Sequence, residues 1–381
     1  MKRILALALC ALFALDAGAR TLYVDAKRPN NSGNGLSRAK AKKTIQAAVN
    51  VAKKGDTILV CPGTYAPFET KNKNISVKSI NGSAKTGVAS GEGAAAVAIL
   101  GRTTNGHPWN VRGSATKLKG FTLDGGDRWC GGSGCCGVAG GTVSSCKIRN
   151  FVGMASVCFR SKLVGCSILD NTYQTSGFWG SRQMGGLVLD STLKRCRIQD
   201  NVGVMGSFLD FGGGYCDGYA AICGSTLASC LVARNETESE LFGETKAVNC
   251  TVVGNGIYHA PDWESWNGSG PRLSEDSTFV NCILRNNFSR SVEFEWTDDP
   301  DPIPRFGGKT VHNADAGNVY KNTDTTNKDP KFTSAYKLKK GSYCINSGKL
   351  AKAQKKLVGT KDLAGKARIR GKAVDRGCYE Y

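Results

Sequence analysis

Histidine is nearly absent, with three residues in a chain of 381, which argues against a His-based metal centre or a histidine relay. Proline is also sparse at 10 residues, so the chain is no polyproline rod. There is no nucleotide-binding glycine loop, no nucleophile elbow and no nucleic-acid-binding signature. Beyond the N-terminus no apolar run is long enough to span a bilayer. Disorder is excluded by composition, because 40% of residues are hydrophobic and 22% charged.

Glycine and cysteine are plentiful. The 48 glycines exceed the usual share of roughly 7% without a collagen triplet, which points to many tight turns. The 16 cysteines are many for this length. The net charge of +20 sits at the ends: residues 20–90 hold 13 Lys and Arg against 3 acids, and residues 331–381 hold 14 against 3. The stretch between is close to neutral. Basic ends suit either a solvated, self-repelling surface or attraction to an acidic polymer or anionic cell surface.

The first segment reads as a secretory signal peptide: Met1-Lys2-Arg3, an apolar run from Ile4 to Leu15, and the small residues Ala17-Gly18-Ala19. Cleavage is expected after Ala19. Lipidation at Cys10 is disfavoured by the bulky Leu9 before it. The expectation is an exported chain.

The middle repeats itself. Cys, any residue, an aliphatic residue and then Asn four or five residues after the Cys recur at Cys146–Asn150, Cys166–Asn171, Cys196–Asn201, Cys230–Asn235, Cys250–Asn255 and Cys282–Asn287. Three residues before each Cys stand Val143, Leu163, Leu193, Leu227, Ala247 and Phe279. Slightly further back stand Thr142, Ser161, Ser191, Ser225, Thr245 and Ser277. A degenerate copy, Leu118–Asp124, precedes the set. Each unit alternates apolar and polar residues and cannot close a core alone, so the units must stack. The Cys spacings of 20, 30, 34, 20 and 32 imply a minimal coil of 20 residues, read as a three-sided turn. The corner Asn is expected to take the left-handed conformation or to bond the Asn above it. The Cys column is expected to be an inward ladder, since parallel Cβ vectors strain a disulfide; some bridges within it are the alternative.

The ends read as caps. Thr21–Asp25 suggests a strand. Ile45, Ala48, Val49 and Ala52 share a helical face, with Gly55 as its left-handed end. Leu22-Tyr-Val-Asp25, Gln46-Ala-Ala48, Gly55–Val60 and Pro62-Gly-Thr-Tyr65 resemble the start of bacterial secreted right-handed parallel β-helix proteins of the pectin-lyase-like type. Asp329–Phe332, Tyr343–Gly348, Asp362–Arg368 and Val374–Glu380 resemble a choice-of-anchor-type C-terminal module. The resemblance implies an all-β, right-handed parallel β-helix with an N-terminal helix cap and a small C-terminal β module. It also implies export and a carbohydrate-related or cell-surface role. The boundaries read 1–19 signal peptide, 20–96 cap and first coils, 97–328 repeats and 329–381 terminal module. In that module Cys344 and Cys378 are expected to form a disulfide.

Length in excess of 20 residues per coil marks insertions at roughly 172–185, 202–219 and 256–271, all leaving one edge. They and the next segment hold Tyr173, Trp179, Arg182, Tyr258, His259, Asp262, Trp263, Glu264, Trp266 and Trp296. Rings to stack and acids to act are what a sugar site needs. Asp262 and Glu264 are the candidate acid/base pair, with His259 as proton carrier. Tyr173, Trp179, Arg182, Tyr258, Trp263, Trp266 and Trp296 are the candidate binding residues. Asp298, Asp299 and Asp301 offer hard oxygen ligands for Ca²⁺, against the plainer reading of a solvated acidic turn. The coil after Asn235 lacks an insertion, so the loops would flank a notch. In the bland alternative the loops fold over the solenoid and bury their own aromatics. Comparison with polygalacturonase motifs fails on order; the pectate lyase pattern would need a basic residue such as Arg182 or Arg290 as base. The expected partner is an extracellular, acidic polysaccharide. The protein is then a lyase or glycoside hydrolase, or else a non-catalytic surface scaffold. Peripheral cell-surface association and a monomeric state are expected, with no nucleic acid.

Overall fold

The computed structural model describes residues 18–91, 96–104, 108–113, 115–127, 129–130, 136–153, 156–174, 178–179, 182–183, 185–204, 220–237, 240–259, 273–291, 319–324 and 328–381. The repeats wind into a right-handed parallel β-helix. Its walls are four parallel sheets, numbered I to IV in the order a complete coil passes through them, with eleven, nine, seven and eight strands among the described residues. One complete coil runs Lys162–Val164 on sheet I, Ser167–Leu169 on II, Thr172–Gln174 on III and Val188–Leu189 on IV. The expected three-sided turn is therefore four-sided. A 20-residue coil divides into four sides of about five residues, not three longer ones.

On sheets I, II and III the five-residue sides share one grammar. A corner residue takes a left-handed φ, the next turns into the core, and two residues later another side chain points inward. Along one coil the left-handed residues are Arg160, Gly165 and Asp170, with φ of 46°, 62° and 55°. The inward ones are Ser161, Leu163, Cys166, Ile168, Asn171 and Tyr173, all buried. Inward positions thus alternate gaps of two and three residues.

Stacking puts identical residues above one another. On sheet I, Val143, Leu163, Leu193, Leu227, Ala247 and Phe279 are successive register partners. The thiols of Cys146, Cys166, Cys196, Cys230, Cys250 and Cys282 are free and buried. The Cys196 and Cys250 amides donate to the sulfur one coil on, each at 3.4 Å. Burial pushes the Cys146, Cys196, Cys230 and Cys250 thiols well above their ordinary pKa, so these four pack as neutral side chains, while hydrogen bonds from Cys146 and Cys196 shift Cys166 between them the other way. Phe121 fills the column's place in the coil below.

The asparagine column is a continuous amide ladder. The Nδ2 atoms of Asn171, Asn201, Asn235 and Asn255 donate to the Oδ1 of the next Asn at 2.7, 2.7, 2.9 and 2.8 Å. The left-handed residue is the one before each of them, and Asn150 belongs to that set, with Phe151 in its ladder place. A second ladder of equal length at the IV-to-I corner links Ser161, Ser191, Ser225, Thr245 and Ser277 through amide-to-hydroxyl bonds.

Helix α1 (Ile45–Val51) covers the first coil, turning Ile45, Ala48 and Val49 into the core. Thr44 caps its start, and the Lys73 ammonium caps its end by donating to the carbonyls of Val49, Asn50 and Ala52. Ala52, in extended conformation, closes this helix; Gly55 takes its left-handed φ in the turn beyond.

Residues 328–381 do not sit on the end of the solenoid. They lie along its side, over sheets I and II of the later coils. Helix α2 (Lys352–Val358) places Val358 against Ala228, Val248 and Val280. Leu363, Cys378 and Tyr379 pack on Leu231, Ala233 and Val253. The corner residues Asn249 and Asn281 donate from their side chains to the Asp375 carbonyl. Cys344 and Cys378 are both free, contrary to the expected disulfide. They belong to separate apolar clusters, Cys344 with Ile283 and Leu338, Cys378 with Leu231 and Val253.

Inside this side strap lies a buried arginine–glutamate contact. The Arg368 guanidinium donates to the Glu380 carboxylate at 3.1 Å, with 3% and 1% of the side chains exposed. Burial first, and the Asp375 carboxylate second, push Glu380 up to about 8, with Arg368 pulling back. A carboxyl whose folded pKa is raised binds its proton more tightly folded than unfolded. Stability of the strap therefore falls as pH rises from about 4.5 to about 8. Glu380→Gln, which cannot ionise, should flatten that dependence in thermal melts between pH 5 and 8. An unchanged slope would exclude Glu380 as its source.

Candidate functional site

The insertions leave at one corner, between sheets III and IV. Strands Thr172–Gln174, Val202–Val204, Gly256–His259 and Phe288–Ser291 of sheet III each end there. The chain returns at Val188, Ala220 and Ser274 on sheet IV, and last at Val319 on sheet I. Each departure comes three or four residues after the ladder Asn, one side later than the sequence pattern placed it. In the coil between the second and third departures, Glu236–Thr237 passes to Glu240–Gly243 across two residues. With strands about 4.8 Å apart, the four departure points span about 19 Å, with a gap of about 10 Å between the second and the third.

Tyr173 is not a binding residue. It is 1% exposed, inside the barrel at the inward phase of sheet III, and burial pushes its hydroxyl pKa up. Its register partner is Gly203, where an added Cβ would lie 2.6 Å from the Tyr173 ring. Trp179 and Arg182 are backbone register partners in a short antiparallel pair within the first insertion. Tyr258 pairs with Arg290, and His259 with Ser291, on neighbouring strands that both run into insertions. Arg290 and His259 are thus brought to one edge, adjoining the gap. Asp262, Trp263, Glu264, Trp266, Trp296, Asp298, Asp299 and Asp301 lie outside the described residues. Among the described residues no three His, Cys, Asp or Glu side chains gather as metal ligands.

Sequence reasoning missed acids at both ends of sheet IV. Glu236 and Glu240 bracket the insertion-free crossing and are both partly buried. Farther along sheet IV, Asp190, Glu244 and Asp276 hold the left-handed place before Ser191, Thr245 and Ser277. Their field registers on Cys223, whose thiol is pushed up to about 11 by burial, then by Glu244 and Asp190. The signal was available: an acid immediately before the corner Ser or Thr in three coils.

No family model matches the chain, and no curated protein matches it. Solved structures similar to it include a pectate lyase, Pel9A, at 16% identity, covering 96% of this chain and 97% of that one, with a TM-score of 0.49. A rhamnogalacturonan lyase is similar at 11% identity over 80% and 87% of the two chains, with a TM-score of 0.42. A pectin methylesterase from carrot is similar at 12% identity over 72% and 83%, with a TM-score of 0.37.

Proposed function

We propose that this protein is exported and engages extracellular polysaccharide along the III-to-IV corner, where it cleaves a glycosidic bond. The observation that carries the reading is the stacking of four insertion points on one corner of a rigid solenoid, two on each side of a gap. The segments that leave there contain Trp179, Trp263, Trp266 and Trp296, four of the chain's 6 Trp residues, together with Asp262 and Glu264. Trp263 and Trp266 would provide stacking faces. Of Asp262 and Glu264, one carboxyl would protonate the departing oxygen while the other carboxylate takes the proton of the attacking water.

The test is a glycan-array screen followed by product analysis. Trp263→Ala and Trp266→Ala should each weaken binding at least tenfold while leaving the thermal melt in place. Asp262→Asn and Glu264→Gln should abolish turnover and spare binding, since each keeps shape and removes the proton-transfer group. If Trp263→Ala sharply lowers the melting temperature and no glycan binds the wild type, the insertions are packing elements and the protein is a scaffold.

A further inference from the structure

Where the side strap meets the solenoid there is an open cleft of about 510 Å³, within the range of small-ligand sites. Val253 and Asn286 supply its solenoid wall, and residues 329–340 of the strap supply the rest. It lies at the II-to-III corner of the coils whose sheet III strands, Gly256–His259 and Phe288–Ser291, run on to the insertion edge. A four-residue strand is about 13 Å long, so cleft and insertion edge flank the same narrow sheet.

Lys331, Lys339 and Lys340 line the cleft; all three are exposed, and none joins an ion pair among the described residues. Against them stands one acid, Asp329, whose Oδ1 already accepts the Lys331 amide at 2.8 Å. The rings of Phe332 and Tyr336 meet edge to face at 6.1 Å, both half-buried. Lys331 and Tyr336 hold φ of 56° and 58°, uncommon for such side chains and steric strain that the surroundings must enforce. Three backbone bonds, Thr333 to Lys337, Tyr336 to Thr333 and Lys339 to Lys331, fix this loop. Arg234, itself held by Asp200, donates to the Tyr336 hydroxyl at 3.3 Å and ties the loop to the solenoid.

We propose that this cleft is a second glycan site, which takes an anionic sugar unit of an acidic polysaccharide. The lysines would neutralise the anion, the rings would take the apolar face of the sugar, and Asn286, Thr333 and Ser334 would meet its hydroxyls. Lysine is a point charge without a planar fork, so a carboxylate or a sulfate satisfies it equally. The inference rests on the polysaccharide reading for its polymer and names that polymer's charge.

Binding to the full-length protein should be measured by calorimetry with oligogalacturonate, a sulfated oligosaccharide, a neutral oligosaccharide and single-stranded DNA. The combined change Lys331→Gln, Lys339→Gln and Lys340→Gln should weaken binding of an anionic glycan at least tenfold. The same charge removed from α2, as Lys352→Gln, Lys355→Gln and Lys356→Gln, should change it less than twofold. Whichever anionic glycan shows this contrast identifies the anion as carboxylate or sulfate. Equal losses in both variants, or none in the first, would overturn the site and leave diffuse charge as the cause. Tighter, lysine-dependent binding of DNA would overturn the glycan class. If anionic glycan is lost with Trp263→Ala but not with the first lysine variant, the insertion edge alone binds it. That outcome sinks this inference and leaves the proposed function standing.

Discussion

Asn201→Ala should lower the unfolding free energy by about 3–5 kcal/mol, read from denaturant melts. Asn201 is fully buried in the middle of the amide ladder. Its Nδ2 donates to the carbonyls of Ile168 and Gln199 at 3.1 and 2.9 Å, and to Asn235 Oδ1. Its Oδ1 accepts from both nitrogens of Asn171. Truncation strands several of these groups inside the barrel, and each buried group without a partner costs about 1–3 kcal/mol. Asn150→Ala is the control. Asn150 is a corner residue outside the ladder, and its side chain donates to Asp124 at a part-buried site. Its loss should cost about 0.5–1.5 kcal/mol, the net worth of one hydrogen bond, since Asn and Ala both carry a Cβ at this left-handed corner. Equal costs at the two positions would mean that the ladder contributes no more than an ordinary corner.

Leu193→Ala should cost about 2–5 kcal/mol by the same measurement. Leu193 is sealed between Leu163 and Leu227 on the inward column of sheet I. Neither neighbour can move into the void without leaving its own register. The column does contain a natural alanine, Ala247, but Phe279 follows it in register and meets Phe242 edge to face at 5.5 Å. Large rings around that alanine supply the missing volume. Thr192→Ala, one residue away on the outer wall, should stay within about 0.5 kcal/mol. A loss at Leu193 no larger than that would mean that the barrel collapses around the gap.

The solenoid could be read from the residues because stacking forces like onto like. A column of Cys or Leu at fixed phase survives any insertion between coils. The number of sides could not be read so directly, because a 20-residue period divides into three or four. What decides is the inward rhythm Ser161, Leu163, Cys166, Ile168, Asn171, Tyr173, whose gaps of two and three fit five-residue sides. The same rhythm, applied one step further, would have placed Tyr173 inside and removed it from the binding residues. Insertion lengths marked the edge, but composition alone says nothing of where a loop side chain points. The strap also left a trace. Outer-wall positions on sheet II are polar at Lys147, Arg149, Arg197 and Gln199, then turn apolar at Leu231, Ala233 and Val253, where the strap lies. The Cys344–Cys378 expectation failed because separation along the chain carries no information about which wall each residue packs against.

The strap also imposes an order of events on synthesis. Coils of a solenoid can form one by one as the chain emerges, since each needs only its neighbour. Among the described residues the outer walls at Ala228, Val248, Val280, Leu231 and Val253 are covered by Val358, Leu363, Cys378 and Tyr379, with Phe332, Tyr336, Leu350 and Leu357 packed beside them. Until those last residues are made, an elongating chain carries a bare apolar stripe on coils that are otherwise complete, and such surface is prone to aggregate. For this molecule, completion of the helix and completion of the fold are separate moments, and in the interval between them the nascent chain must be kept apart from its copies.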